Sequence, residues 1–316
     1  MALDGIKNML RRIWATRSGQ LGGAPAEVQA TPCLTNTEYW SQYNVTGHYD
    51  FNSREQSLDY LHWRNGQYFF YDRLMPCSGF DGQVILDYGC GPGHDLVGFV
   101  EFSRPVKVFG LDISPQSLQE AGNRLRLHPA EAVELILLKD GDARLQFPDN
   151  SVDYIHSSGV LHHTPNIDEI LAEFRRILKP SGLVRIMVYN YHSIWLHLFV
   201  AYTRRIVLGL DKGLSLEECF KRSTDTEACP ISRWYRQDEF VELCGRAGLV
   251  GRFLGAAMSV NEMDLLPQRY NALRDLSLPR EHRDFLHELT FDAYGRPLWR
   301  GAVAGLDGVY EFTKRA

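Results

Sequence analysis

From residue 84 onward, short apolar runs alternate with stretches of helical period. Val84 to Asp87 reads as a strand and about His94 to Ser103 as a helix. Val106 to Asp112 is the second strand, and a helix from Ser114-Pro115 to about Leu127 follows, with Ser as its cap and Pro in its first turn. Val133 to Leu138 and Tyr154 to Ser158 are further strands, then come a helix over Ile167 to Leu178 and a strand over Val184 to Tyr189. Strands that are apolar throughout, each separated from the next by a helix, predict a parallel sheet covered on both faces. Before this core, Glu38 to Met75 is aromatic and helical, with one helix expected from about Ser53 to Leu74, stopped by Pro76. After it come an apolar helix over Tyr191 to Leu210 and a polar loop over Lys221 to Pro230. A helix over Gln237 to Ala247 ends at Gly248, Arg252 to Met258 is a sixth strand, and Gly308 to Phe312 closes the sheet.

This pattern divides the chain into a leader and linker (1–35), an aromatic helical cover (36–79), the core (80–190), a lid insertion (191–234), a continuation of the core (235–260), a second insertion (261–300) and a last core strand (301–316). The non-core blocks are expected to gather over the carboxyl edge of the strands, where ligands of open α/β sheets bind.

The turn after the first strand carries the most chemistry. Asp87-Tyr88-Gly89-Cys90-Gly91-Pro92-Gly93 empties a strand into a helix N-terminus, where a ligand approaches bare backbone. His94 stands where a dinucleotide fingerprint requires its third glycine. A carboxylate at Asp87 suits a ligand with an ammonium group and suits a pyrophosphate poorly. Asp112 ends the second strand, 25 residues later, where one ionised carboxylate matches two vicinal ribose hydroxyls. A dehydrogenase would carry such an acid too, so Asp112 marks a nucleoside without choosing among them.

The D-x-G-x-G-x-G spacing resembles motif I of the class I S-adenosylmethionine (SAM) dependent methyltransferases. Phe147-Pro148-Asp149-Asn150-Ser151-Val152-Asp153, continuing to His163, is similar to the equivalent stretch of small-molecule members of that family. The likeness is close over about residues 80–190 and looser over 235–255 and 303–314; His94 and Asp95 depart from it. It implies a Rossmann-like sandwich around a seven-stranded, mostly parallel sheet, with SAM as cofactor and a role in specialised metabolism. It also implies a cofactor site of Asp87, Gly89, Gly91, Gly93, Asp112, Ile113, Asp142, Ala143 and Ser158. Asp142 would take the adenine amino group, with Asp140 competing, and Ala143 would offer its backbone N–H.

On the acceptor side, His162 and His163 follow the fourth strand, near the transferred methyl group in the family. Either imidazole could accept a hydroxyl proton near neutral pH; alternatively, one packs under the cofactor and the other caps the helix at Thr164-Pro165. Asn190 is expected either to hold a polar group of the acceptor or to serve as a turn residue. Tyr39, Tyr43, Tyr189 and Tyr191 are candidates for lining the substrate cavity. Arg64 and Arg233 are candidates for gripping an acceptor carboxylate, which would make the acceptor a small acid.

Composition narrows the partners. Lys and Arg total 34 against 39 Asp and Glu, a net charge of −5 that argues against nucleic acid. No apolar run approaches the roughly 20 residues that span a bilayer. The opening Met1 to Arg17 mixes basic and apolar residues, as in a membrane-touching amphipathic helix, a transit-like leader or a short packed helix. Six cysteines form no C-x-x-C pair, which points to reduced thiols in a cytoplasmic protein without a metal site. A homodimer is compatible with the chain.

Methyl transfer from a sulfonium demands mainly positioning, worth up to about 7–11 kcal/mol. A base is needed for a hydroxyl or carbon acid, hardly for an amine and not for a thioether. The sequence therefore leaves oxygen, nitrogen, sulfur and carbon acceptors open. Two rivals remain beside methylation: closure of the aminobutyrate chain of SAM to a ring, and a catalytically silent subunit with this fold.

Overall fold

The computed structural model describes residues 34–44 and 49–315. The expectations for Met1 to Arg17 and for most of the linker fall outside those residues.

Parallel strands β2 (Val84–Tyr88), β3 (Lys107–Asp112), β4 (Val133–Leu137), β5 (Val152–Ser158) and β6 (Leu178–Tyr189) form the centre of the sheet. The strand β11 (Asp307–Lys314) inserts antiparallel between β6 and β7 (Leu249–Ser259). The order is β1-β7-β11-β6-β5-β2-β3-β4. The seven expected strands are all present, and a short eighth, β1 (Tyr68–Phe69), pairs with the far end of β7.

That eighth strand corrects the long N-terminal helix. A helix, α1, spans Asn36–Gln42, and α2 runs only over Arg54–Gly66; α3 (Tyr71–Leu74) follows after a break. Phe70 sits at φ 71, a conformation no helix interior tolerates, and Tyr68 and Phe69 pair with Ser259 and Met258. Aromatic residues prefer a pleated, half-buried surface, so tertiary pairing overrides the helical pattern there.

Helices α4 (His94–Phe102), α5 (Pro115–Leu125), α6 (Ile167–Ile177) and α8 (Gln237–Arg246) flank the sheet. Leu86, Ile155, Phe174, Ile186, Phe240 and Phe312 form the main core between sheet and helices, all at most 1% exposed. The chain segments that follow β6 and β7 share a second apolar cluster. It includes a helix over Trp195–Val207, wound with the wider π pitch, and α7 (Leu216–Thr224). The polar run from Lys221 thus begins inside a helix, capped by the Ser215 hydroxyl, which accepts from the Glu218 N–H. Helices α9 (Val260–Leu265), α10 (Arg269–Arg274) and α11 (Arg280–Glu288) complete this layer. A small antiparallel sheet, β8 (Thr290–Phe291), β9 (Pro297–Trp299) and β10 (Ala302–Val303), leads into β11. No helix among the described residues is long and apolar enough to cross a membrane.

Candidate active site

Because β11 runs against its neighbours, its first residue lies at the same edge as the last residues of the parallel strands. One cavity of about 310 Å³ follows that edge, touching Asp87, Asp112, Leu138, Ser158, Tyr189, Ser259 and Asp307 at or next to the strand ends. Its volume lies within the range of small-molecule sites. The cover adds aromatic walls from Trp40, Tyr49, Tyr60, Trp63, Tyr68 and Tyr71.

The turn after β2 is shaped for close approach. Gly89 sits at φ +79, and a Cβ there would stand 2.2 Å from Val160 Cγ2. Gly91 sits at φ +52 with open space where a Cβ would be, so its backbone faces the cavity bare. Its N–H donates to Asp112 Oδ2 at 2.8 Å, and Asp112 Oδ1 accepts from the Ser114 N–H at 2.8 Å. Burial raises the Asp112 carboxyl, while these backbone donors pull it back. Asp87 is 2% exposed, and burial pushes its pKa up to about 7, against the pull of His156. A buried carboxyl of that kind is poised to ionise when a cation arrives.

The adjoining wall is a network whose members are far apart in sequence. Arg64 donates to Asp95 Oδ1 at 2.7 Å. Tyr71 Oη donates to Asp95 Oδ2 at 2.8 Å and lies 2.8 Å from Ser158 Oγ. His156 Nε2 is 3.1 Å from Asp95 Oδ2. Burial alone would raise Asp95, yet Arg64 and His156 hold it well below the usual carboxylate range. The departure at His94-Asp95 thus has a use: Asp95 fixes Arg64 against the cavity.

Of the expected cofactor residues, Asp87, Gly89, Gly91, Asp112, Ile113, Asp142 and Ser158 line the cavity, and so does Asp140. Gly93 and Ala143 do not; Gly93 instead caps α4 in the left-handed conformation and packs on Ala121. On the acceptor side only His163, Tyr189 and Arg64 line it. His162 is fully buried with neither ring nitrogen partnered, and burial, with His163 beside it, holds its pKa well below normal. It packs beneath the site and reaches no acceptor. Asn190 is 1% exposed, and its amide donates to the carbonyls of His192 and Gly305, both at 3.0 Å. Its amide is thus spent on backbone carbonyls just after β6 and just before β11, and it does not line the cavity. Tyr39 is buried, donating to the Asp225 carbonyl, and Tyr43 stacks on it at 4.9 Å. Tyr191 lies under the Arg236 guanidinium at 3.6 Å. Arg233 is exposed and donates to the Thr164 carbonyl at 2.9 Å. None of these four touches the cavity.

His163 is held on several sides. Its Nδ1 lies 2.7 Å from the Ile231 carbonyl oxygen, which can only accept, so Nδ1 carries the proton and Nε2 is the basic nitrogen. Nε2 lies 3.7 Å from Asp225 Oδ1, and Trp40 packs on the ring at 4.7 Å. Asp225, unmarked by any local motif, accepts from the hydroxyls of Tyr189 at 2.9 Å, Ser232 at 2.7 Å and Thr224 at 2.6 Å. His163, Asp225 and Cys229 bring a nitrogen, an oxygen and a sulfur within 4.8 Å of one another. Burial pushes the Cys229 thiol up to about 12.

Comparisons with known proteins agree with this architecture. Residues 80–224 match a methyltransferase domain family. Demethylmenaquinone methyltransferase of Geobacillus stearothermophilus is 32% identical over 143 residues, 44% of this chain and 57% of that protein. Sterol 24-C-methyltransferase of Gibberella zeae is 28% identical over 141 residues, 44% of this chain and 36% of that one. The chain therefore spans little more than half of the first relative and about a third of the second. A solved phosphoethanolamine N-methyltransferase of Haemonchus contortus, bound to phosphomonomethylethanolamine and S-adenosylhomocysteine, shares the fold. Its TM-score is 0.50 at 19% identity, covering 90% of this chain and 61% of that one. The glycine turn bared to the cavity and the two strand-end acids beside it all lie within residues 80–224, the stretch that matches the methyltransferase domain family.

Proposed function

We propose that the protein transfers the methyl group of SAM to a small-molecule acceptor bound in the same cavity. The observation that carries this reading is the continuity of one cavity from Asp112 and Asp142 to Tyr189, His163 and Asp307. Asp112 is suited to the ribose, Asp142 or Asp140 to the adenine, Asp87 to the ammonium, and Arg64 to the carboxylate of the aminobutyrate chain. Bound SAM supplies an electrophilic methyl group and leaves as neutral S-adenosylhomocysteine.

The protein's own residues then orient and desolvate the acceptor. The aromatic cover excludes water, and the Asp95–Arg64–Tyr71–Ser158 network holds one wall rigid. His163 Nε2 takes a proton where the acceptor must lose one, and Asp225 stabilises the imidazolium that results. A carboxylate-bearing acceptor loses its expected anchors, because Arg64 is assigned to the donor's carboxylate and Arg233 lies outside the cavity.

Incubating the protein with methyl-labelled SAM and pools of small metabolites, followed by mass spectrometry, tests the reading. S-adenosylhomocysteine with a labelled acceptor is the expected outcome. Methylthioadenosine would instead mark closure of the aminobutyrate chain, and unchanged SAM a silent subunit.

A further inference from the structure

The charge on the cavity wall is lopsided. Six aspartates line it, against two basic side chains, Arg64 and Lys139, among the described residues. Arg64 is already neutralised by Asp95. Four of the remaining aspartates, Asp87, Asp112, Asp140 and Asp142, lie at the ends of β2, β3 and β4 or just beyond them, on the donor's side. The sixth, Asp307, does not. It opens β11, paired in register with Tyr189 and Ala257. Three strand spacings separate β11 from β2, about 14 Å.

Asp307 is 6% exposed yet reaches the cavity, among Tyr68, Gln67, Ser259 and Asn261. Beside it Glu262 is completely buried, with Oε2 accepting from Ser259 and Oε1 unpartnered. Burial pushes the Glu262 carboxyl up to about 8, and the charge of Asp307 adds to the effect. Of these two neighbouring acids, only Asp307 lines the cavity. A carboxylate at Asp307 would repel an anionic acceptor. A cation would meet a carboxylate and the faces of aromatic rings, which attract it further.

We propose, on the reading of the cavity as a methyltransferase site, that the acceptor is an amine whose ammonium is held by Asp307. The acceptor nitrogen gives one proton to His163 Nε2, and its freed lone pair bonds to the methyl carbon. The carbon–sulfur bond breaks with its pair on sulfur. The methylated nitrogen regains its positive charge and remains opposite Asp307, while the donor product leaves neutral.

Calorimetry on the S-adenosylhomocysteine-loaded protein tests this without knowing the natural acceptor. The probes are a series of amines from ethylamine to phenethylamine, with the alcohol and carboxylic acid of matching skeleton. At least one amine is expected to bind ten-fold or more tighter than its alcohol and acid partners, and Asp307→Asn is expected to erase that preference while changing S-adenosylhomocysteine affinity less than two-fold. Acids or alcohols binding as well as amines, or an amine preference intact in Asp307→Asn, overturns the proposal. The wild-type ranking of the three head groups decides the matter even if the variant fails to fold. Failure of S-adenosylhomocysteine itself to bind would sink the methyltransferase reading instead.

Discussion

The two halves of the cavity are built in opposite ways. The donor half rests on strand ends and the turns that follow them, so its groups are fixed by a backbone that the sheet holds rigid. Gly91 and Asp112 illustrate this: one N–H donates to one carboxylate across adjacent parallel strands. The acceptor half is assembled from side chains of the cover, the lid and the last strand, which meet only when the chain is folded. Its polar groups are tied by long-range pairs such as Tyr189–Asp225 and His163–Ile231, 36 and 68 residues apart. A local motif can specify the first kind of site, whereas the second depends on tertiary packing.

The contrast is broken most severely at Asp95, which joins the halves. Asp95→Ala leaves the half-buried Arg64 guanidinium without its carboxylate, and since removing one partner of a fully buried pair costs about 3–5 kcal/mol, a loss of about 2–3 kcal/mol is expected here. Chemical denaturation should show that loss, with weaker donor binding following from the displaced Arg64. A stability unchanged within 1 kcal/mol would mean that Arg64 relaxes to solvent and that the wall is soft.

Asp112→Ala comes next and acts on the donor half alone. Hydrogen bonds to a charged group contribute about 1.5–3 kcal/mol, so S-adenosylhomocysteine affinity should fall roughly 10–100-fold. Calorimetry that finds less than a three-fold change would remove Asp112 from the nucleoside site.

Asp87 makes the donor half dependent on pH. Its folded pKa of about 7 lies above the ordinary 3.8. Between those values the folded protein holds a proton that the unfolded chain has released. The ligand-free protein therefore loses stability as pH rises through that window. Donor binding runs the other way, since its ammonium needs the ionised carboxylate. Affinity should weaken as pH falls below 7, by up to about ten-fold per unit. Asp87→Asn should flatten both profiles; a donor affinity independent of pH from 6 to 8 in the wild type would show that Asp87 does not face the ammonium.

The smallest effect is expected at Arg233, which is exposed and whose guanidinium donates to the Thr164 carbonyl. Arg233→Ala should change stability by no more than about 0.5 kcal/mol, and methylation by less than two-fold. A marked rise in KM for an acceptor would return Arg233 to the substrate site and weaken the case for an amine.

This division also explains what the sequence discloses. The strands, the glycine turn and Asp112 are legible because period and spacing are local properties. Most of the assigned cofactor residues reach the cavity for the same reason. The acceptor side is legible only in part. Asn190 and Tyr191 follow a strand end, as acceptor-holding residues do, yet the lid folds over them and turns them into packing. Tyr68 and Phe69 continue a helical pattern and are drawn into the sheet by Ser259 and Met258, almost 200 residues away. Asp307 carries no motif. Its place at the cavity follows from β11 running antiparallel, which brings a strand's first residue to the edge where the other strands end.

Titration of the wild-type protein with S-adenosylhomocysteine, with NAD as the parallel ligand, tests the central claim most directly. The account predicts one site per chain for the sulfur nucleoside, lost or severely weakened in Asp112→Ala, and no heat from NAD. Heat from NAD alone, or none from either ligand, would contradict it.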